Sequence, residues 1–384
     1  MSIIVQKFGG TSMADPDRIG KAADRVVAAR REGHDVVVVV SAMGSTTDQL
    51  LALADQVTPD RCDRERDMLV TAGERIATAL LCMALQAREC ESISFTGSQA
   101  GILTNDRHQD ARIIEVRPVR VEDELSRGKV VVVAGYQGVS YKREITTLRR
   151  GGSDTTAVAL AAALGAEAVE IYSDVDGIFS ADPRLVPEVA RLDELDSDTM
   201  LALAEGGARV LAADAVRHAR QKGIALYCRA TDPANGTGQT VVRRFPASDP
   251  TRPRVSALAG DDDGRAAVIC PATSLGTVLA TLPTAATARA VATGDRFLVE
   301  AAPGAGDAAL PGDCDVFDPV GRLTLVGDNL ARDPALAARL AALLRHNSCE
   351  LLALTTEEHA IRAWIPASRV TDLLPVAHGE FVEI

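Results

Sequence analysis

Aromatic residues are scarce: Phe, Trp and Tyr make up 3% of the 384 residues, with a single Trp. The cores must therefore be built from Ala, Val and Leu. Positive charge is in deficit, with 41 Lys and Arg against 53 Asp and Glu and a net charge of −12. No basic run and no interleaving of aromatic with basic residues offsets this, which excludes a nucleic-acid partner. Cysteines are seven, an odd number, scattered at Cys62, Cys82, Cys90, Cys228, Cys270, Cys314 and Cys349 without a CxxC. Such a set reads as reduced, mostly buried thiols in a cytosol rather than as a disulfide framework. The six histidines show no metal-ligand spacing. The apolar run "VVVVV" at 36–40 is far too short to span a bilayer. The opening "MSIIVQKFGG" reaches a lysine and glycines after three apolar residues, which does not read as a signal peptide, so the expected location is cytoplasmic. GxxxxGK[ST] and GxGxxG are both missing, which excludes a P-loop and the dinucleotide fingerprint.

What is present is the ordinary balance of a soluble globular chain, 47% apolar and 24% charged. The length predicts two or three domains. Short apolar runs "IIVQKF" (3–8), "DVVVVVSA" (35–42), "SISFTG" (92–97), "KVVVVAGY" (129–136), "AVEIYSDV" (168–175) and "IALYCRA" (224–230) read as strands covered on both faces. Between them, 15–33, 66–88 and 154–165 carry helical periodicity and several end in Gly. Strands alternating with helices predict a three-layer α/β/α sandwich with a largely parallel sheet over residues 1–245. "PASDPTRP" (246–253) reads as a linker. In 322–384 the pattern is strand, helix, two strands, helix, and a final strand "FVEI", a ferredoxin-like order; 246–321 is expected to hold a shorter relative.

Three glycine-bearing turns follow strands or open helices in the first domain: "KFGGTS" (7–12), "SAMGSTTD" (41–48) and "LRRGGSD" (148–154). Ligands of open α/β sheets sit outside the carboxyl ends of the strands. Glycines there let backbone N–H groups approach phosphate oxygens, and a helix N-terminus adds its positive end. Three such turns, each with Ser or Thr, point to a nucleotide site. Lys7 is either a solvated strand end or a cation that bridges phosphoryl oxygens. Asp154 either caps the following helix or supplies an acid beside Ser153 and Arg150. Arg150 suits bidentate capture of a carboxylate.

These residues carry a resemblance. "VQKFGGTSMADPDRI" (5–19), "VVVVSAMGSTTDQLL" (37–51), "TAGERIA" (71–77), "FTGSQAGILT" (95–104), "TTLRRGGSDTTAVALAAALGA" (146–166) and "IYSDVDGIFSADPR" (171–184) correspond, in order, to motifs of the aspartate kinases, within the amino acid kinase superfamily. The first domain therefore resembles that catalytic domain over roughly residues 1–230. The C-terminal unit resembles the paired regulatory ACT domains of the same family. The resemblance implies transfer of the ATP γ-phosphoryl group to the β-carboxylate of L-aspartate, with Mg²⁺ accompanying ATP. It implies that Lys7 stabilises the phosphoryl group in flight and that Asp154 orients it. Gly9, Gly10 and Ser12 would lie against the phosphates. Arg150 would hold the substrate α-carboxylate and Glu74 its ammonium group, with Thr47 and Ser153 positioning the rest. Tyr172, Ser173 and Asp174 would stand near the base and ribose, with Phe179, Asp182, Arg184 and Arg209 also at the nucleotide. A homo-oligomer, dimeric through the ACT-like domains, is implied as well.

Departures set the alternatives. Arg149 stands where the family ordinarily has glycine, which would be strained if φ is positive there. It either swings to solvent or crowds the substrate pocket, and the latter would admit a different carboxylate acceptor. Arg209 stands where lysine is usual, with charge kept and geometry changed. Both ACT-like units lack the usual Pro-Gly turn, so feedback control by lysine or threonine is not expected. A non-catalytic regulatory or sensor protein is the remaining alternative, opposed by the retention of Lys7, Glu74, Arg150 and Asp154.

Overall fold

A computed structural model describes residues 2–58, 60, 62–149, 151–166, 168–244, 253–282, 290–293, 295–301 and 310–383. The chain divides into two compact units, and the division is less simple than one break near residue 246. The first unit comprises Met1–Ile178, Leu192–Ser197 and Val210–Phe245; the second comprises Phe179–Arg191, Asp198–Arg209 and Pro246–Ile384. The proposed linker lies outside the described residues, apart from Pro253.

In the first unit the leading elements are β1 (Ile3–Phe8), α1 (Pro16–Arg31), β2 (Asp35–Val40), α2 (Thr46–Val57), α3 (Asp63–Gln86), β3 (Ser92–Phe95), β4 (Ile102–Thr104), β5 (Ile113–Val116), α4 (Val119–Ser126), β6 (Val130–Ala134), β7 (Gln137–Ser140), β8 (Ile145–Thr147), α5 (Gly152–Leu164) and β9 (Ala168–Ser173). An eight-stranded sheet runs Glu194–Asp196, Gln239–Arg243, Ala225–Ala230, β9, β1, β2, β6, β3. Its pairings are parallel except where Gln239–Arg243 runs against Ala225–Ala230. The local chemistry explains the elements. The five valines of β2 are fully buried, as a strand covered on both faces requires. Asp15 caps α1 by accepting from the Arg18 N–H at 2.9 Å, with Pro16 at the first helical position. α1 and α3 bury Val26, Val27, Leu81 and Leu85 on one face of the sheet with Phe8, Val36, Val38 and Tyr172. α5 packs against β1, β2 and β9, which makes the three layers.

Helix α3 is long and apolar enough to cross a membrane, but half of its most apolar window is buried in the core. A second, four-stranded sheet, β5-β4-β7-β8, went unforeseen. Its strands are only three or four residues long and half polar, too short for a period-2 signal.

The second unit builds a six-stranded sheet in the order 290–293, 296–301, 254–271, 315–328, 360–366, 353–356. Each half is a strand, a helix and two strands: Arg254–Pro271, Leu275–Thr281, Ala290–Thr293 and Arg296–Ala301, then Asp315–Asp328, Pro334–His346, Ala353–Thr356 and Ala360–Pro366. The long first strands of the two halves pair antiparallel. The irregular passage expected at 303–313 lies largely outside the described residues. The expected closing strand "FVEI" is corrected. Helix Val370–Phe381 runs through Phe381, buried in the core with Leu373, Leu374 and Ala377, and Val382–Glu383 form no strand. Buried Arg322 binds Asp261 at 3.0 Å and Glu300 at 3.2 Å, and the Trp364 indole N–H donates to Glu300 at 2.7 Å.

Candidate active site

The carboxyl ends of β1, β2, β6 and β9 converge through backbone bonds. Ser41 N–H donates to Phe8 O at 3.1 Å, Gly135 N–H to Val40 O at 3.0 Å, and Gly9 N–H to Tyr172 O at 3.3 Å. At Gly10 a Cβ would stand 3.0 Å from Ala42 O and 3.1 Å from Gly44 O, so the two glycine turns "FGG" and "AMG" are pressed together. The two turns are also hydrogen-bonded, Gly44 N–H donating to Gly10 O at 3.0 Å.

Lys7 leaves β1 at this end. Its Nζ lies 2.6 Å from Asp154 Oδ1, and both side chains are about nine-tenths buried. Asp154 stands in the first turn of α5, and its Oδ2 accepts from the Ala212 N–H at 3.3 Å. A buried ion pair is expensive to desolvate, and a cation and an anion placed together at glycine-lined strand ends point to chemistry rather than to stability. Behind the pair, the fully buried Cys228 thiol is pushed upward by burial first and then by Asp154, with Lys7 opposing, so it stays protonated.

Ser153 is buried beside Asp154, and a Cβ on Gly135 would come within 2.6 Å of its Oγ. Glycine at 135 is what lets α5 reach the end of β6. Gly151, with φ +77°, opens α5 in the left-handed region, and a Cβ there would stand 2.2 Å from Ala212 Cβ. Ser12 lies in a short helical turn after Gly10. It is buried, accepts from Thr231 Oγ1 at 2.7 Å and donates to Tyr172 O at 3.4 Å.

Glu74 comes from α3. It is buried, its Oε1 accepts from the Ala42 N–H at 3.2 Å, and its Oε2 has no partner. Burial raises its pKa to about 7, opposed by that backbone bond. Gly73 makes the approach possible, since a Cβ there would fall 2.7 Å from Ala42 Cβ. Thr47, half-buried, sits in the first turn of α2, next to Thr46, which packs on the same Gly73. Ser173 and Asp174 close β9: the Ser173 hydroxyl donates to Val175 O at 3.1 Å, and Asp174 is exposed.

The Tyr172 ring is buried, stacked on Phe8 at 4.8 Å, and its hydroxyl donates to Glu170 at 3.0 Å. Its side chain belongs to the core and presents no face to a base; what reaches the strand end is its carbonyl. Phe179, Asp182, Arg184 and Arg209 belong to the second unit. There Arg184 grips Asp182 through two carboxylate oxygens, at 3.0 and 2.6 Å, and Arg209 pairs with Asp263 at 2.6 Å. The Arg184 guanidinium holds the Asp182 carboxyl below the usual range. Arg150 lies outside the described residues. Arg149 is half exposed and forks onto Asp110, and it is not among the described residues with positive φ. It therefore carries no left-handed strain, and its side chain is engaged with Asp110.

Sequence reasoning missed Gly135, Thr231 and Ala212. The "GYQG" run at 135–138, directly after a strand, was the available signal for the first; Tyr136 there holds a left-handed φ of +64°, an uncommon state for a bulky residue.

Residues 2–230 match the amino acid kinase family. An aspartokinase of Mycobacterium tuberculosis is 54% identical over 232 residues, which covers 60% of this chain and 55% of that protein; this chain thus matches little more than half the length of such relatives. Among solved structures, aspartate kinase from Synechocystis is 32% identical with a TM-score of 0.57, covering all of this chain and 70% of that one. E. coli aspartokinase III in complex with aspartate and ADP superposes with a TM-score of 0.83 at 23% identity, covering both chains in full, a likeness of fold.

Proposed function

We propose that this chain, which belongs to the amino acid kinase family, transfers the γ-phosphoryl group of ATP to the β-carboxylate of L-aspartate, giving 4-phospho-L-aspartate and ADP. The observation that carries the reading is the buried Lys7–Asp154 pair at glycine-lined strand ends, with the unpartnered Glu74 Oε2 beside the same turns.

A carboxylate that attacks a polyphosphate must overcome like-charge repulsion, about 4 kcal/mol per charge pair at 4 Å and an effective dielectric near 20. Lys7 offsets it. Its ammonium lies where charge builds on the transferring oxygens as the bond from γ-phosphorus to the β-bridging oxygen breaks and the aspartate oxygen bonds to phosphorus. Asp154 keeps that ammonium pointed along one direction. Backbone N–H groups around Gly9 and Gly10, with Ser12, receive the phosphates. Glu74 Oε2, an acceptor without a donor, takes the substrate ammonium, while Ser153, Thr47 and Arg150 position its carboxylates. Mg²⁺ would supply further charge neutralisation, and we assign it chiefly to the phosphates of ATP. Among the described residues no group of three His, Cys, Asp or Glu side chains gathers to hold a metal.

The test is turnover of purified protein with L-aspartate, ATP and Mg²⁺, trapping the acyl phosphate with hydroxylamine. Aspartyl hydroxamate is expected; none at saturating substrates refutes the reading.

The Glu74 assignment gives a pH signature. With its pKa near 7 in the free protein, Glu74 is half protonated at neutrality and binds an ammonium group only when ionised. KM for aspartate is expected to rise as pH falls from 8 to 6, with kcat less affected. Glu74→Gln should raise KM and flatten that dependence. Linkage gives an independent check. The folded pKa lies above the unfolded value, so the folded state holds more protons between the two and loses stability as pH rises through about 7. Glu74→Gln should therefore melt higher than wild type at pH 8, and the gap should close below the unfolded carboxylate range. A KM profile identical to wild type removes Glu74 from the substrate.

A further inference from the structure

Gln109 combines three observations that the mechanism above does not use. Its φ is +60°, a left-handed conformation that a long side chain adopts only when its surroundings impose it. Its backbone N–H is held by Asp67, at 3.1 Å to Oδ1 and 3.3 Å to Oδ2. Its side-chain Nε2 is buried without a partner.

The grip is elaborate for a loop. Asp67 is fully buried in α3 and also accepts from Thr147 Oγ1 at 2.5 Å and pairs with His108 Nδ1 at 2.7 Å. The segment is tied again to the strand that leads into the Ser153–Asp154 turn: Ala111 N–H donates to Thr147 O at 3.0 Å, and Asp110 holds Arg149. One buried carboxylate thus fixes α3, the 105–112 segment and the end of β8 together. Asp67 and Glu74 lie seven residues apart on α3, two turns along one face, so about 10 Å separates them along the axis. That is the span of an extended amino acid with its contacts. Glu74 offers an unpaired acceptor at one end, and Gln109, seated on Asp67, offers an unpaired donor at the other.

We propose that Gln109 is a specificity residue for the acceptor substrate, its side-chain amide donating to a carboxylate oxygen of the bound amino acid while Asp67 holds its backbone in the strained conformation that aims it. The inference rests on the aspartate kinase reading. It accounts for a strained residue with a buried, unsatisfied donor at a position where glycine would adopt the same φ without steric cost.

The test uses two substitutions in the full chain. Gln109→Gly relieves the left-handed strain and deletes the donor. It is expected to raise Tm by about 2 °C or more while raising KM for aspartate about tenfold, the factor carried by a hydrogen bond to a charged group. KM for ATP should not move. Gln109→Leu keeps the bulk and the strain, so it should raise KM for aspartate equally without the gain in Tm. A higher Tm with KM for aspartate unchanged overturns the proposal, and so does a parallel rise in KM for both substrates. If wild-type protein forms no aspartyl hydroxamate, the kinase reading itself has failed. Calorimetry with L-aspartate then decides the Gln109 contact alone: about tenfold weaker binding by Gln109→Gly supports it, and equal or undetectable binding by both proteins overturns it.

Discussion

Lys7→Ala is expected to lower kcat by about a thousandfold, with KM for aspartate changed little. Removing one preorganised donor from developing charge costs about 3–4 kcal/mol in comparable sites, and Lys7 brings a full charge in a buried setting, where screening is weak. The acceptor substrate is held by other groups, so the loss should fall on kcat. Asp154→Ala should cost a similar factor by a different route, since it frees the ammonium to wander and removes the acceptor of the Ala212 N–H. If the two side chains act as one unit, the double variant should be little worse than either single one. Lys7→Ala also leaves a buried carboxylate without its cation, so a fall in Tm is expected beside the kinetic loss. Lys7→Arg serves as the control: charge is kept, the point-like ammonium is not, and only part of the activity should return. Steady-state kinetics with a melting curve for each variant checks all of this. A Lys7→Ala protein within tenfold of wild-type kcat would remove the lysine from the chemistry.

How much of this could be read from the amino-acid order varies by residue. The valines of β2 and the Asp15–Pro16 start of α1 announce themselves locally, because burial on both faces and helix capping are short-range demands. The glycine turns at 9–10 and 151–152 were legible for the same reason. The membership of 179–191 and 198–209 in the second unit was not. It is set by contacts far away in sequence, such as Ser180 Oγ with His378 Nε2 at 2.8 Å and Leu258 N–H to Ser180 O at 2.7 Å, and nothing in the local composition marks it. Tyr172 was expected near the base and ribose only through the resemblance, and its local sequence does not show where its ring points. Strand alternation instead turned its ring inward to Phe8. Gln109 and Asp67 were invisible because a left-handed φ and a buried three-donor carboxylate are properties of tertiary structure alone.

The sharpest structural prediction concerns Gly151. Gly151→Ala should destabilise the first unit by about 3 kcal/mol or more and lower kcat with it. Two costs add. A non-glycine residue in the left-handed region costs about 1–2 kcal/mol, and a Cβ 2.2 Å from Ala212 Cβ forces backbone to move, about 1–3 kcal/mol for an overpacked site. The backbone that must give belongs to the catalytic turn, because Asp154 N–H donates to Gly151 O at 3.1 Å and Ala212 N–H donates to Asp154 Oδ2. Gly165 separates the two costs. Its φ of +69° is similar, but a Cβ there meets nothing within 4 Å, so Gly165→Ala should show the conformational cost alone and leave kcat untouched. Adding Ala212→Gly to Gly151→Ala removes the overlap and should recover the steric share of stability and most of the activity, though not the conformational share. Equal melting shifts for the two alanine variants, or no rescue by Ala212→Gly, would mean that the turn yields without strain and that the position of Asp154 does not depend on it.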